Sequence, residues 1–285
     1  MKHVFHHWHV IVFVLIIGVA AYFRLYKLGA IPGSLYVDEI AIGVDAKSIL
    51  ETGKDMHGGS WFTTTFPSYG DFKLPVYIWL VALSIKVFGA TDFAVRFPSA
   101  LAGIFSVVLI YAVVLEFFHD DIKRKIYALS AAFMIALMPW SIQFSRTGFE
   151  AHIGQLFLLC AVWFALQGRT KTWLYIFSAL FGVLAVYTYY SVRFVFPPLC
   201  IATFLMFMPK LKSQKLIVLA IGILMLFIVG LYPMTRSSWY AAMQHIRLST
   251  KNVFDVSFSV DQSNALRSMS NNDPFSRVFY HRYVL

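Results

Sequence analysis

The sequence predicts an all-α, polytopic membrane protein, and three observations carry that prediction. Hydrophobic residues make up 59% of the 285 positions and charged residues 13%, about half the charged share of a soluble domain. Seven windows are free of Asp, Glu, Lys and Arg: His3–Phe23, Phe97–Leu115, Ile126–Ser145, Ala151–Gly168, Thr172–Val192, Phe194–Pro209 and Leu216–Thr235. Each supplies, alone or with its flanks, the roughly 17–25 residues that a helix needs to cross a bilayer. The cations behind the net charge of +10 collect in the short links between the windows. Membrane topology accounts for them there, so a nucleic-acid partner is not expected.

No small-residue cleavage site follows the first window, which reads as a retained helix rather than a signal peptide. His3, His6, His7 and His9 lie in that window, away from the acids of the chain, and are not assigned to a metal. The segment 24–96 is too long for a simple connection and is rich in turns: Ile31-Pro-Gly33, His57-Gly-Gly59 and Phe66-Pro-Ser-Tyr-Gly70. Within it Glu39–Leu50 sets Ile40, Val44 and Ile49 among polar residues, the pattern of a short helix on the membrane surface. The run Leu74–Ile85 is short; runs of about 10–14 residues lie in the interface or re-enter rather than span.

Charge decides the topology. If Leu74–Ile85 does not cross and the N-terminus is inside, Lys2, Lys123, Arg124, Lys125, Arg169, Lys171, Lys210, Lys212 and Lys215 all fall on the inner side. Letting the run cross would move all of these but Lys2 outside, against the positive-inside rule. The Asp38 loop, the Arg146–Glu150 link, the Tyr187–Arg193 link and the C-terminal stretch then share the outer face. Pro197-Pro198 should kink the sixth window or shift its start. The chain divides into a membrane part, 1–235, and a polar, irregular stretch, 236–285, expected to be an outer loop or the start of an outer region of a longer protein. Cys160 and Cys200 lie inside apolar windows and read as packed thiols.

The polar outer segment holds the residues that could carry chemistry. Asp38 and Glu39 stand among Leu35, Tyr36, Val37 and Ile40, where solvating a carboxylate costs more than in a free loop. Asp38 could cap the following helix, act as a base, or do both. Glu150 opens the fourth window, either favoured there by the helix dipole or as an acceptor-orienting group. Lys73, Arg146 and Arg193, with Arg24 after the first span, could snorkel to the headgroups. Beside two acids on one face they also suit a phosphate leaving group. Tyr187, Tyr189 and Tyr190 form an aromatic belt or hydrogen-bond a lipid phosphate.

The ordered set of an acidic pair after the first span, Lys73-Leu-Pro75, Phe88-Gly89, Arg96-Phe-Pro98, and Ser145-Arg146 with Glu150 four residues on resembles the GT-C-type glycosyltransferases. Among these it resembles the protein O-mannosyltransferases and aminoarabinose transferases, over roughly residues 8–235. The resemblance implies that Asp38 is the first-loop catalytic base, Glu39 its companion acid and Lys73 the holder of the lipid phosphate. Leu74 replaces a proline of that motif, and Glu150 stands where relatives carry Asp. The expected donor is a polyprenyl-phosphate monosaccharide, held at its phosphate by Lys73, Arg146, Arg193 and Tyr189. The expected reaction is inverting transfer to an acceptor (protein, lipid or glycan) at the outer face of a bacterial plasma membrane. A divalent metal is left open, and no ligand set is assigned to one. A lipid-linked polymer ligase would use the same chemistry. A transporter would place ionisable groups within the spans, and a scaffold would not need Asp38, Lys73 and Glu150 to converge.

Overall fold

The computed structural model describes residues 8–68, 71–196, 198–199 and 232. Helix α1, Trp8–Leu25, is apolar on all sides, with Val14 and Leu15 exposed, as expected of a helix solvated by lipid. Then come α2 (Val37–Thr52), the strands β1 (Phe66–Ser68) and β2 (Asp71–Lys73), and α3 (Pro75–Phe88). After these follow α4 (Asp92–Phe117), α5 (Arg124–Leu137), α6 (Pro139–Arg146), α7 (Ala151–Gly168) and α8 (Leu174–Val186).

The sequence punctuates these elements. Gly53 ends α2 at φ 70°, a left-handed conformation that glycine adopts without strain. Strands β1 and β2 pair antiparallel with Phe66 opposite Lys73, so the hairpin delivers Lys73 directly into α3. Pro75 is the first residue of α3, where its missing N–H costs no helical bond. The Thr91 hydroxyl accepts the Ala94 N–H at 3.2 Å, and Asp92 lies in the first turn of α4, a cap and a dipole contact that fix the start of that helix.

Among the described residues α1, α4 and α7 are long and apolar enough to cross a membrane, and α5 with α6 makes a fourth span if the bent pair counts as one. The window Ile126–Ser145, expected as a single helix, is bent by 54° between Leu137 and Pro139. The cause is local: Pro139 has no N–H for the Ile135 carbonyl four residues earlier. Arg24 fills the gap, its guanidinium donating to Ile135 O and Ala136 O at 3.0 Å each. Arg24 therefore does not snorkel; it is completely buried. The fifth window yields only α8, 13 residues and about 20 Å long at 1.5 Å per residue, short of a span. The expected spans Phe194–Pro209 and Leu216–Thr235 lie outside the described residues, apart from 194–196, 198–199 and 232.

Helix α4 is central and packs on α1, α3, α5, α6 and α7. One core joins Ile42, Phe66, Tyr77, Ile78 and Val81 of the segment between α1 and α4 to Ala94 and Val95 of α4 and Ile153 of α7. The segment is thus seated on the ends of the helices rather than hanging from them as a loop. A second core holds Ile16, Ala20, Val107, Leu129 and Ala132.

Candidate active site

The adjacent acids at the start of α2 meet opposite environments. Tyr36 is the N-cap, and its N–H donates to Glu39 Oε2 at 2.9 Å, the backbone half of a capping box. Glu39 is fully buried; Oε1 accepts from Arg96 Nε at 2.9 Å and from the Gly148 N–H at 2.6 Å. Arg96, also fully buried, spends its other donors on the carbonyls of Leu28, Pro32 and Ser34 at 3.2, 2.8 and 2.8 Å. One ion pair thereby ties α2, α4, the 28–34 turn and the 146–150 link together. Sequence reasoning saw Arg96 only as part of a motif. The available signal was a lone cation at the head of an otherwise apolar helix, which is costly unless it is paired.

Asp38, one residue earlier, is not the cap but lies in the first turn, with half of its side chain exposed. Lys73 Nζ donates to its Oδ1 at 2.6 Å, and Lys73 is itself buried. The carboxylate thus faces solvent while its cation sits behind it, fixed at the hairpin-to-α3 junction.

The 146–150 link closes over this pair. Arg146 donates to the carbonyls of Phe23, Tyr26 and Ile31 at 2.7, 2.9 and 2.8 Å, so its guanidinium clamps the end of α1 to α6. Gly148 lies close enough to Glu39 that a Cβ would stand 3.1 Å from Oε1. The ring of Phe149 rests 5.6 Å from that of Tyr36. Glu150, just before α7, lies within electrostatic range of the buried Tyr77 hydroxyl, as does Glu39. Burial first, then these two acids, push the Tyr77 phenol well above its ordinary value. Its hydroxyl donates to Val95 O at 2.9 Å.

Asp38, Glu39, Lys73 and the Arg146–Glu150 link, distant in sequence, are therefore one assembly. Tyr189 and Arg193 belong to a neighbouring feature. The turn that carries them packs on the first turns of α7, where a Cβ at Gly154 would stand 2.8 Å from Tyr189 Cβ. The Arg193 guanidinium lies over the Tyr190 ring at 4.8 Å. Beside this turn a cavity of about 350 Å³ opens at the α5–α6 break, with Met138, Trp140, Phe144 and Leu158 as apolar walls and Ser141, His152, Gln155 and Tyr189 as polar groups. Ser141 Oγ accepts from Arg24 at 2.8 Å and lies 3.4 Å from His152 Nε2. Among the described residues no group of three or more His, Cys, Asp or Glu side chains is placed to hold a metal ion.

Helices with apolar spans and a polar assembly between the first of them fit the expected GT-C-like fold, which the likeness to solved structures supports. The fold is similar to that of the Archaeoglobus fulgidus oligosaccharyltransferase in the apo form, with TM-score 0.60 and 17% identity over 80% of this chain and 29% of that one. It is also similar to the oligosaccharyltransferase AglB from the same organism in complex with an inhibitory peptide and a dolichol-phosphate, with TM-score 0.55 and 16% identity over 95% of this chain and 40% of that one. The family model for dolichyl-phosphate-mannose-protein mannosyltransferase matches residues 73–232, more than half of the sequence, and the chain belongs to that family of membrane glycosyltransferases. The matched segment starts at Lys73 and holds Arg96, Arg146, Glu150, Tyr189 and Arg193; Asp38 and Glu39 precede it. A curated relative, the undecaprenyl phosphate-alpha-4-amino-4-deoxy-L-arabinose arabinosyl transferase 2 of Pseudomonas fluorescens, is 32% identical over 114 residues, which are 39% of this chain and 19% of that protein. The chain thus aligns with less than a fifth of that relative's length.

Proposed function

We propose that the protein moves a monosaccharide from a polyprenyl-phosphate donor to an acceptor hydroxyl at the outer face of the membrane, with inversion and with Asp38 as base. The observation that carries this reading is the Asp38–Lys73 pair: a half-exposed carboxylate 2.6 Å from a buried ammonium, beside helices long and apolar enough to span. The family and the P. fluorescens relative, whose name specifies an undecaprenyl-phosphate sugar, supply the donor class.

In the proposed step the acceptor oxygen attacks the anomeric carbon from the aqueous side. The bond from that carbon to the phosphate oxygen breaks, and polyprenyl phosphate leaves with the electron pair. The acceptor proton passes to the open face of Asp38, general-base help that contributes about 10²–10⁴-fold. Lys73 holds Asp38 at 2.6 Å, and its positive charge favours the departing phosphate, whose own charge grows as the bond breaks. The oxocarbenium character of the transition state favours a carboxylate nearby. Glu39, Arg96 and Arg146 hold the site together without touching donor or acceptor. Glu150 orients the acceptor, and Arg193 and Tyr189 receive the donor phosphate from the α7 side. The reading explains why the site sits at the mouth of the spans: the donor's tail keeps it in the lipid.

The test is transfer by the full-length protein in vesicles containing a panel of polyprenyl-phosphate sugars. One donor should be consumed with release of polyprenyl phosphate, and the product should carry the inverted anomer. A retained anomer would contradict the single displacement.

A further inference from the structure

We propose that Trp61 and Phe62, seated on Trp79 of α3, form a membrane-interface anchor that sets the depth of the first outer segment in the lipid headgroup layer. Between Met56 and Phe66 the only titratable side chain is His57. The tip of this loop exposes two large rings, Trp61 at 48% and Phe62 at 74%. They are not loose. The Phe62 ring stacks on Trp79 at 6.1 Å with 3° between the planes, and Trp61 meets Trp79 edge-on at 6.2 Å. Trp79 Nε1 donates to the Trp61 carbonyl at 3.0 Å, and Ser60 Oγ accepts the Phe62 N–H at 3.2 Å. The loop presents a pre-formed aromatic face.

That face continues along α3. Leu83 and Val87, one and two turns beyond Trp79, are 61% and 73% exposed, with Lys86 exposed beside them. The opposite side of α3 packs on α2 and on α4, a helix long and apolar enough to cross the membrane. The strip Phe62–Trp79–Leu83–Val87 therefore lies on the side of α3 turned away from α2 and from the spanning helix α4. Its chemistry follows the same gradient. Indole rings suit the headgroup region, where one edge is wet and one face is apolar. The aliphatic side chains lie beyond them, and a lysine can snorkel from the far end. A saccharide would find rings at the tip but nothing to hydrogen-bond along Leu83 and Val87, which favours lipid as the occupant. Because β2 and α3 join at Lys73-Leu-Pro75, fixing the loop tip and α3 in the interface also fixes the height of Lys73 and, through it, Asp38. The inference rests on the chain being a membrane protein and not on the reaction proposed above.

The experiment places a nitroxide spin label at Phe62→Cys in a C160S/C200S background of the full chain, reconstituted in phosphatidylcholine vesicles. Collision with dissolved oxygen and with a water-soluble nickel chelate is then measured. Oxygen should reach the label several-fold more readily than the chelate. A label at Leu83→Cys should behave alike, and one at Lys54→Cys should favour the chelate. Phe62 is exposed, so its replacement removes no core packing. If the chelate reaches position 62 as readily as position 54, the tip is an aqueous platform; if neither reagent reaches it, protein covers it. Either result overturns the anchor.

Discussion

Asp38 and Glu39 differ by one position, and in a helix that is a rotation of about 100°. The rotation turns one carboxylate to solvent and the other into the core beside Arg96. The sequence shows two acids where acids are costly, but not which is buried, because Arg96 lies 57 residues away. Arg146 illustrates the same limit. It reads as a cation for a phosphate, yet its terminal nitrogens donate to three backbone carbonyls, and only chain geometry reveals that demand. Burial acts on a third acid as well. Asp45 of α2 is fully buried; Oδ1 accepts the Met56 N–H at 2.9 Å, while Oδ2 has no hydrogen-bond partner. Burial, with Asp55 adding to it, raises its pKa from 3.8 to about 6 against the opposing pull of the Met56 bond and His57. The folded state then binds the proton more tightly than the unfolded state, so this group's contribution falls as pH rises through the window from about 4 to about 6. Asp45→Asn keeps an oxygen for Met56 and removes the charge. It should raise the melting temperature at pH 7.5, with a gain that shrinks towards pH 4.5. A gain independent of pH would contradict the assignment.

At the scale of elements, hydrophobic runs placed α1, α4 and α7 well, because a span is a long, one-sided demand on composition. The bounds of α7, Ala151–Gly168, coincide with its charge-free window. The α5–α6 break was less legible. Pro139 was visible, but a proline inside an apolar window can kink a helix slightly or break it, according to what satisfies the freed carbonyls. Here Arg24 satisfies them, from a helix more than a hundred residues earlier. The junction is tight. A Cβ at Gly103 of α4 would stand 2.6 Å from Ser145 Cβ and 2.8 Å from Arg24 Nε, so glycine is what lets three helices approach here. Gly103→Ala should cost about 1–3 kcal/mol, as overpacking does, and lower the melting temperature in detergent. Gly18→Ala, with nothing within 4 Å of its Cβ, should leave the melting temperature unchanged or raise it. Equal behaviour of the two variants would show that the close approach carries no energy.

For the whole molecule, the sequence supplied the class of fold, since charge-free windows are a global pattern, and named Asp38, Glu39, Lys73 and the Arg146–Glu150 link, which the fold brings together. It could not supply the division of labour within the group. The chain brings residues 36–39, 73, 96 and 146–150 into one assembly, and only Asp38 among its acids combines wide exposure with a buried cation alongside. The central claim is that this carboxylate takes the acceptor's proton while Lys73 serves the donor. The most direct measurement compares wild type, Asp38→Asn and Lys73→Ala in the full-length protein, with donor binding and turnover recorded separately and folding checked by thermal melts. The account predicts that Asp38→Asn binds donor within a few-fold of wild type but turns over at least about 100-fold more slowly, whereas Lys73→Ala loses donor affinity. Turnover of Asp38→Asn within a few-fold of wild type would contradict it.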